Sequence, residues 1–179
     1  MNPSNILAGF DRFLMERGLH LDAIIVGGAA LNLLGVISRP TKDCDVLWPQ
    51  LSEEIAAAAS AFAAAMRRQG EPLADDWLNN GPASLVAQLP ADWRNHLQLA
   101  FAGVALRLHV PGREDLLRSK LFALCDRGID LADCIALAPT IGELAALRPW
   151  LDRQDGNPDW PAHVGEVLDD LRKRLGHGV

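Results

Sequence analysis

A short apolar segment followed by two glycines is the feature that most constrains the fold of this 179-residue chain. Residues 23–26 read Ala-Ile-Ile-Val, which is too short for a helix and typical of a strand buried on both faces. Gly27 and Gly28 end that strand, and residues 29–34 predict a short helix that stops at Gly35. A buried strand joined to a helix by a glycine turn indicates a sheet with helices packed on it.

The remaining hydrophobic pattern predicts further strands before residue 111 and only helices after it. Helices are expected over residues 4–17, 52–69, 114–127, 129–138 and 161–175 and from residue 140, and strands over residues 43–48, 97–101 and 104–110. This order predicts an α/β (α+β) fold, with a mixed sheet, flanking helices and a C-terminal helical lobe. Because no linker interrupts the pattern, we expect residues 1–179 to form a single domain, with a sheet-containing core over 1–111 and the lobe over 112–179.

Charge and composition narrow the class of protein. The net charge of −6 excludes a global basic field for nucleic acid, so that an RNA contact would need a local basic groove. No apolar run approaches the roughly 20 residues of a membrane span, and the N-terminus has no signal pattern. Cys44, Cys125 and Cys134 have no CxxC spacing and lie among apolar residues, which predicts buried, reduced thiols. We therefore expect a soluble cytoplasmic protein with no membrane partner.

Asp43 and Asp45 are the first candidates for chemistry. They are two residues apart on a predicted strand, which places both carboxylates on one face and Cys44 on the other. Two like charges side by side repel each other unless a cation lies between them. Mg²⁺ (or Mn²⁺) takes one or two carboxylates and fills its remaining positions with water and phosphate oxygens. An acidic pair at a strand end also occurs on ordinary surfaces, so the neighbouring residues decide between these alternatives.

The residues before the acidic pair favour a phosphate-binding site. Gly27 and Gly28 allow a close approach of the backbone, and the first N–H groups of the following helix point towards an anion. The same glycines also suit an ordinary tight turn between a strand and a helix. Arg39 and Thr41 precede the acids and are expected to reach the phosphates of a nucleotide, since arginine binds phosphate with two parallel hydrogen bonds. A phosphate cradle beside a metal-binding pair predicts nucleotide–metal chemistry.

Two segments resemble the signature of the nucleotidyltransferase superfamily, namely residues 26–31 (Val-Gly-Gly-Ala-Ala-Leu) and 39–47 (Arg-Pro-Thr-Lys-Asp-Cys-Asp-Val-Leu). That signature is an apolar strand, Gly-Gly or Gly-Ser, a helix, and then two acids separated by one residue on the next strand. The chain is also similar to minimal bacterial nucleotidyltransferase-like proteins, including toxins of the type IV toxin–antitoxin (abortive-infection) group. Those proteins carry a lysine on a helix and a later Asp-x-x-Asp, which residues 113–124 and 130–133 resemble. The resemblance spans roughly residues 23–137.

The resemblance implies a Mg²⁺-dependent transfer of NMP from a nucleoside triphosphate to an RNA, protein or small-molecule acceptor, and an antitoxin protein as a possible partner. Asp43 and Asp45 would hold the metal ion, and Lys120 would contact phosphate. Asp133, or Asp130, would position or deprotonate the acceptor. From the residues alone, Lys120 lies at the edge of an apolar helix face, where a lysine either reaches water or meets an anion.

The chain departs from the family pattern at one position. Members of the superfamily place a third carboxylate on a later strand, whereas residues 106–110 offer only Arg107 or His109. Either His109 or Asp133 is then the candidate acceptor base, although a lone histidine at a strand end is more often a structural hydrogen-bonding group. The alternative is a catalytically inactive module that binds a nucleotide or a partner.

Five tryptophans offer surfaces on which a base can stack. Most are expected to anchor the core. Trp77 is the predicted exception, because it begins the polar, turn-rich stretch 77–82.

Overall fold

The computed structural model describes residues 3–177 and has a mixed α/β fold, as predicted. It divides into two compact units, with the boundary between Gly112 and Arg113. The first unit contains helices α1 (Pro3–Met15), α2 (Gly27–Leu33) and α3 (Glu53–Arg68), and strands β1 (Leu21–Val26), β2 (Cys44–Trp48), β3 (Leu78–Asn79), β4 (Gln98–Ala102) and β5 (Leu106–Val110). Two 3₁₀ turns, Ala83–Ala87 and Trp93–His96, connect β3 to β4. The second unit contains α4 (Arg113–Arg127), α5 (Leu131–Leu137), α6 (Ile141–Leu151) and α7 (Trp160–Arg174).

The five strands form one sheet in the order β3-β2-β1-β5-β4. Strand β1 lies at the centre, antiparallel to β2 and parallel to β5. Its central position explains why residues 23–26 are all apolar and buried, whereas Asp22 near the start of the strand is exposed. Ile24 and Val26 pack with Leu47 of β2 in one apolar cluster, which the turns after β3 cover with Leu85, Leu89 and Trp93. This packing fixes the position of β1, and therefore also the position of the glycine bend that follows it.

The prediction of an exposed Trp77 is wrong. Its side chain is fully buried, with 0% exposure. Its ring centroid lies 5.1 Å from that of Phe10 on α1 and 5.9 Å from that of Phe62 on α3. The indole N–H donates a 3.1 Å hydrogen bond to the carbonyl of Ala59. Apolar contacts with two distant helices, together with a satisfied N–H group, outweigh the polar local sequence.

The described residues of the second unit form four helices joined by loops, with no strand, as predicted. Thr140 and Glu143 form the expected capping box at the start of α6, in which each side chain bonds to the other residue's backbone N–H. Arg113 Nε donates a 2.9 Å hydrogen bond to Glu143 Oε1. This bond, followed by those from Thr140, lowers the pKa of Glu143 to about 2. Among residues 3–177, no helix is both long enough and apolar enough to cross a bilayer.

Glu143→Gln is expected to lower the free energy of unfolding at pH 7 by about 1 kcal/mol. Glutamine retains the capping geometry but loses the charge that attracts Arg113. Because the pKa of Glu143 is lowered from 4.5 to about 2 by folding, its contribution is present above pH 4.5 and is lost as the pH falls towards 2. Urea denaturation across this pH range should show the two proteins converging at the acidic end. A difference that stays constant with pH would contradict a charge-based contribution.

Candidate functional site

The Asp45 carboxylate lies directly against Gly27. Asp45 pairs with Val26 across β1 and β2, which places it beside the residue that ends β1. Gly27 has a φ of +75°, a region that glycine adopts without steric cost. A Cβ atom added to Gly27 would clash with Asp45 Oδ2. The fold thus brings one acid of the Asp-x-Asp pair into contact with the glycine bend, and only glycine permits this approach.

Thr41 lies between Gly28 and Asp43 and contacts both. A Cβ atom added to Gly28 would lie 3.2 Å from Thr41 Oγ1. The Thr41 side chain is buried, and its hydroxyl donates a 2.8 Å hydrogen bond to the carbonyl of Asp43 and lies 3.5 Å from Asp43 Oδ1. Asp43 immediately precedes β2, whereas the sequence placed it within the strand. Its position is therefore set by the turn that Thr41 stabilises beside Gly28.

The residue between the two acids points away from them, as the strand alternation predicts. Cys44 is fully buried, and Asp43 and Asp45 are each half-buried. Burial raises the pKa of the Cys44 thiol, and the neighbouring carboxylates of Asp45 and Asp43 raise it further. The thiol therefore stays protonated at neutral pH. All three cysteines are free and buried, as predicted.

The segment that carries Arg39 is held along α2. Asn32, on α2, donates a 3.1 Å hydrogen bond from Nδ2 to the backbone carbonyl of Arg39. The Arg39 side chain is exposed. The loop between α2 and β2 therefore returns beside the short helix whose first residues are the two glycines.

Asn79 is a neighbour of Asp45 that the sequence did not single out. It lies on β3, where it pairs in parallel register with Asp45. Its Nδ2 is 3.3 Å from Asp45 Oδ1. The sequence pattern placed Asn79 in an irregular polar turn, and a strand of two residues has no alternation by which to recognise it.

In the second unit, the three candidate site residues lie close together, namely Lys120, Asp130 and Asp133. Lys120 Nζ lies 2.7 Å from Asp133 Oδ2 and 3.2 Å from Asp130 Oδ1. The Lys120 and Asp133 side chains are 7% and 1% exposed, whereas that of Asp130 is 21% exposed. Asp130 forms no side-chain cap on α5, although it occupies the N-cap position with a left-handed φ of 69°. Of the two alternatives for Lys120, the structure therefore shows the one in which it meets anions, and these are carboxylates of its own chain.

The strand expected to carry a third carboxylate offers none. On β5, Arg107 is exposed, and His109 Nδ1 lies 3.2 Å from Asp22 Oδ1 on β1. Within the described range 3–177, no group of three or more histidine, cysteine or acidic residues is arranged to hold a metal ion. A metal ion at Asp43 and Asp45 would therefore fill its remaining positions with water, or with phosphate oxygens once substrate is bound.

Gly27→Ala is expected to destabilise the protein more than Gly35→Ala, by at least about 1 kcal/mol. Gly35 also has a positive φ, +71°, but has no heavy atom within 4 Å of an added Cβ. Both substitutions introduce the backbone strain of a left-handed residue, about 1–2 kcal/mol. Only Gly27→Ala also displaces a carboxylate. Equal urea midpoints for the two variants would mean that the contact with Asp45 is unimportant for the fold.

A bend of two glycines at the end of a central strand, touching one acid of an Asp-x-Asp pair, is the arrangement expected of the nucleotidyltransferase class. Residues 6–138 match the family described as a nucleotidyltransferase of unknown function (DUF6036), and the chain belongs to this family. Comparison with curated proteins and with solved structures gave no significant match.

Proposed function

We propose that this protein is a Mg²⁺-dependent nucleotidyltransferase that transfers NMP from a nucleoside triphosphate to a hydroxyl or phosphate of an RNA, protein or small-molecule acceptor. The observation that carries the proposal is the contact between Asp45 and Gly27. It sets a carboxylate suited to a metal ion beside the glycine bend suited to phosphate. Family membership supports the reaction class.

Asp43 and Asp45 would hold the metal ion. They fit Mg²⁺ or Mn²⁺ because both are carboxylates, both are half-buried, and Mg²⁺ needs only one or two such ligands besides water and phosphate oxygens. When bound, the ion would neutralise charge on the phosphates and orient them.

Gly27, Gly28, Arg39 and Thr41 would contact the triphosphate. Valine has no side-chain acceptor, so Val26, the N-cap residue of α2, cannot cap the first N–H groups of the helix. Such N–H groups, which point away from the helix, are suitable donors to an anion. The exposed Arg39 would add a cation to the same end of the site.

Lys120 and the two late aspartates would act on the phosphate and the acceptor. Asp133 holds Lys120 at the shorter distance and is almost fully buried, while Asp130 is the more exposed member. A phosphate oxygen would therefore reach Lys120 most readily by taking the place of Asp130. Asp133, or the more accessible Asp130, would position the acceptor or accept its proton as the acceptor oxygen attacks the α-phosphorus and pyrophosphate leaves. Rate enhancement would come mainly from alignment and charge neutralisation.

The proposal is tested by incubating the protein with α-labelled nucleoside triphosphates, Mg²⁺ and cell extract. Wild type should transfer label in a metal-dependent manner, and Asp43→Ala/Asp45→Ala should not. Asp169→Ala/Asp170→Ala is the matched control, because it removes the same charge from exposed positions on α7. Transfer that persists in the Asp43→Ala/Asp45→Ala variant, or that is absent from wild type, would contradict the proposal.

A second candidate is a catalytically inactive module that binds a nucleotide or a partner, favoured by the lack of a third carboxylate on β5. Calorimetric titration with Mg²⁺ and each nucleoside triphosphate separates the two functions. Binding without label transfer supports the inactive module, whereas binding with transfer supports the enzyme.

A role as the toxin of a toxin–antitoxin pair is a further part of the proposal, supported by the sequence resemblance alone. Expression should then arrest growth. Asp43→Ala/Asp45→Ala, or co-expression of an antitoxin from a neighbouring gene, should relieve the arrest. Unimpaired growth on expression of soluble wild type would contradict this role.

A further inference from the structure

We propose that Asn79 is a positioning residue that holds the Asp45 carboxylate in the orientation needed to bind the metal ion. This inference rests on the proposed function, because it assigns a role in the same site. Asn79 would act through Asp45 and would not itself contact the metal.

The orientation of the Asn79 amide follows from its neighbours. The backbone N–H of Gly81 donates a 2.7 Å hydrogen bond to Asn79 Oδ1. Since a backbone N–H can only donate, the oxygen must lie on that side and the NH₂ group on the other. Nδ2 then donates to Asp45 Oδ1 and to the carbonyl of Asp76, each at 3.3 Å. The amide therefore presents a donor, not a metal ligand, to Asp45.

The backbone of Asn79 is fixed on both sides. Asn79 is in β-sheet register with Asp45, and the preceding Trp77 accepts a hydrogen bond from the backbone N–H of Cys44 through its carbonyl. Trp77 is itself anchored among the rings of α1 and α3. On the other side, a Cβ atom added to Gly81 would lie 2.9 Å from Asn79 Oδ1, so that the turn closes tightly on the amide. A donor held so firmly can fix the carboxylate that it contacts.

The two oxygens of Asp45 thus have different neighbours. Oδ1 accepts from Asn79, and Oδ2 faces Gly27. A carboxylate that is already oriented loses less rotational freedom when it binds a cation. Hydrogen-bond partners of metal ligands typically change metal affinity by about 10- to 100-fold when they are removed.

The test is Mn²⁺ binding in the absence of nucleotide, measured by calorimetry on the full chain. Asn79→Leu removes the amide at similar size, and Asn79→Ser is too short to reach Asp45. Both are expected to raise the Mn²⁺ dissociation constant by at least about 10-fold. Having two variants keeps the test decisive if one of them folds poorly.

Asn80→Leu is the matched control from the same turn. Asn80 accepts from the backbone N–H of Leu51 and donates to the carbonyls of Val46 and Pro49, so that these bonds all go to backbone groups. Its loss should lower thermal stability while leaving Mn²⁺ affinity within about two-fold of wild type. If Asn79 were merely structural, both asparagine substitutions would affect stability and neither would affect metal affinity selectively.

The outcomes separate this inference from the proposed function. If wild type binds Mn²⁺ and Asp45→Asn does not, the metal site holds, and wild-type affinity in both Asn79 variants would then overturn the positioning role alone. If Asp45→Asn binds Mn²⁺ as wild type does, or if wild type binds none, the proposed metal site and the role of Asn79 both fail.

Discussion

Asp45→Asn is expected to reduce metal-dependent nucleotide transfer by about 1000-fold. Metal-ion stabilisation of a transition state supplies several kcal/mol, and each 1.36 kcal/mol corresponds to a tenfold change in rate. Asparagine has the shape of aspartate, so the contact with Gly27 can persist, and the carbonyl oxygen of the new amide can still accept from Asn79. The charge alone is lost.

Initial rates of label transfer at saturating nucleotide and varied Mg²⁺ measure this effect. Asp170→Asn is the control, because Asp170 is an exposed acid on α7 with no assigned role in the site. It should retain activity within a few-fold of wild type. If Asp45→Asn kept a rate within a few-fold of wild type, the metal would have to be held elsewhere.

The elements that were predicted correctly are those whose information is local. Residues 23–26 are apolar throughout because β1 is the central strand, and the two glycines mark its end without reference to distant residues. The capping box at Thr140 can also be predicted from four consecutive residues. The contact between Gly27 and Asp45 could not be predicted from these local patterns alone. It also requires the pairing of β1 with β2, which places Asp45 opposite Val26.

The errors lie where distant contacts decide the structure. Trp77 and Asn79 stand in a stretch rich in turn residues, which predicts exposure. Trp77 is buried by Phe10 and Phe62, neither of which is near it in sequence. Because Trp77 is anchored there, β3 forms and brings Asn79 beside Asp45. The burial of Trp77 thus explains both the wrong prediction and the missed neighbour of the site.

The surroundings of Lys120 could be predicted only in part from the sequence. The apolar pattern of α4 placed it at the edge of a buried face but left open whether it reaches water or an anion. Asp133 lies on α5 and Asp130 at its N-cap position, and the turn between α4 and α5 brings both to the lysine. The sequence could name all three residues, but only the turn geometry could show that they meet.

Lys120→Met is expected to lower the free energy of unfolding by about 3–5 kcal/mol. Removing one partner of a buried ion pair leaves the other charge poorly solvated. The resulting loss of stability is larger than that caused by most single substitutions. Here the charge left behind is that of Asp133, which is 1% exposed and loses its 2.7 Å contact with Nζ. Methionine nearly matches the length of the lysine stem, so that loss of packing contributes little.

Urea denaturation of the full chain measures the change, with Lys173→Met as the control on an exposed position of α7. Lys173→Met should leave stability within about 0.5 kcal/mol of wild type. The double variant Lys120→Met/Asp133→Leu removes both charges and is expected to recover most of the lost stability, because apolar replacement of a whole buried pair is often neutral.

If the double variant still transfers nucleotide at the wild-type rate, Lys120 and Asp133 serve the fold alone. If it is stable but inactive, they also take part in the reaction. A single variant as stable as wild type would mean that the charge of Asp133 is compensated without the lysine.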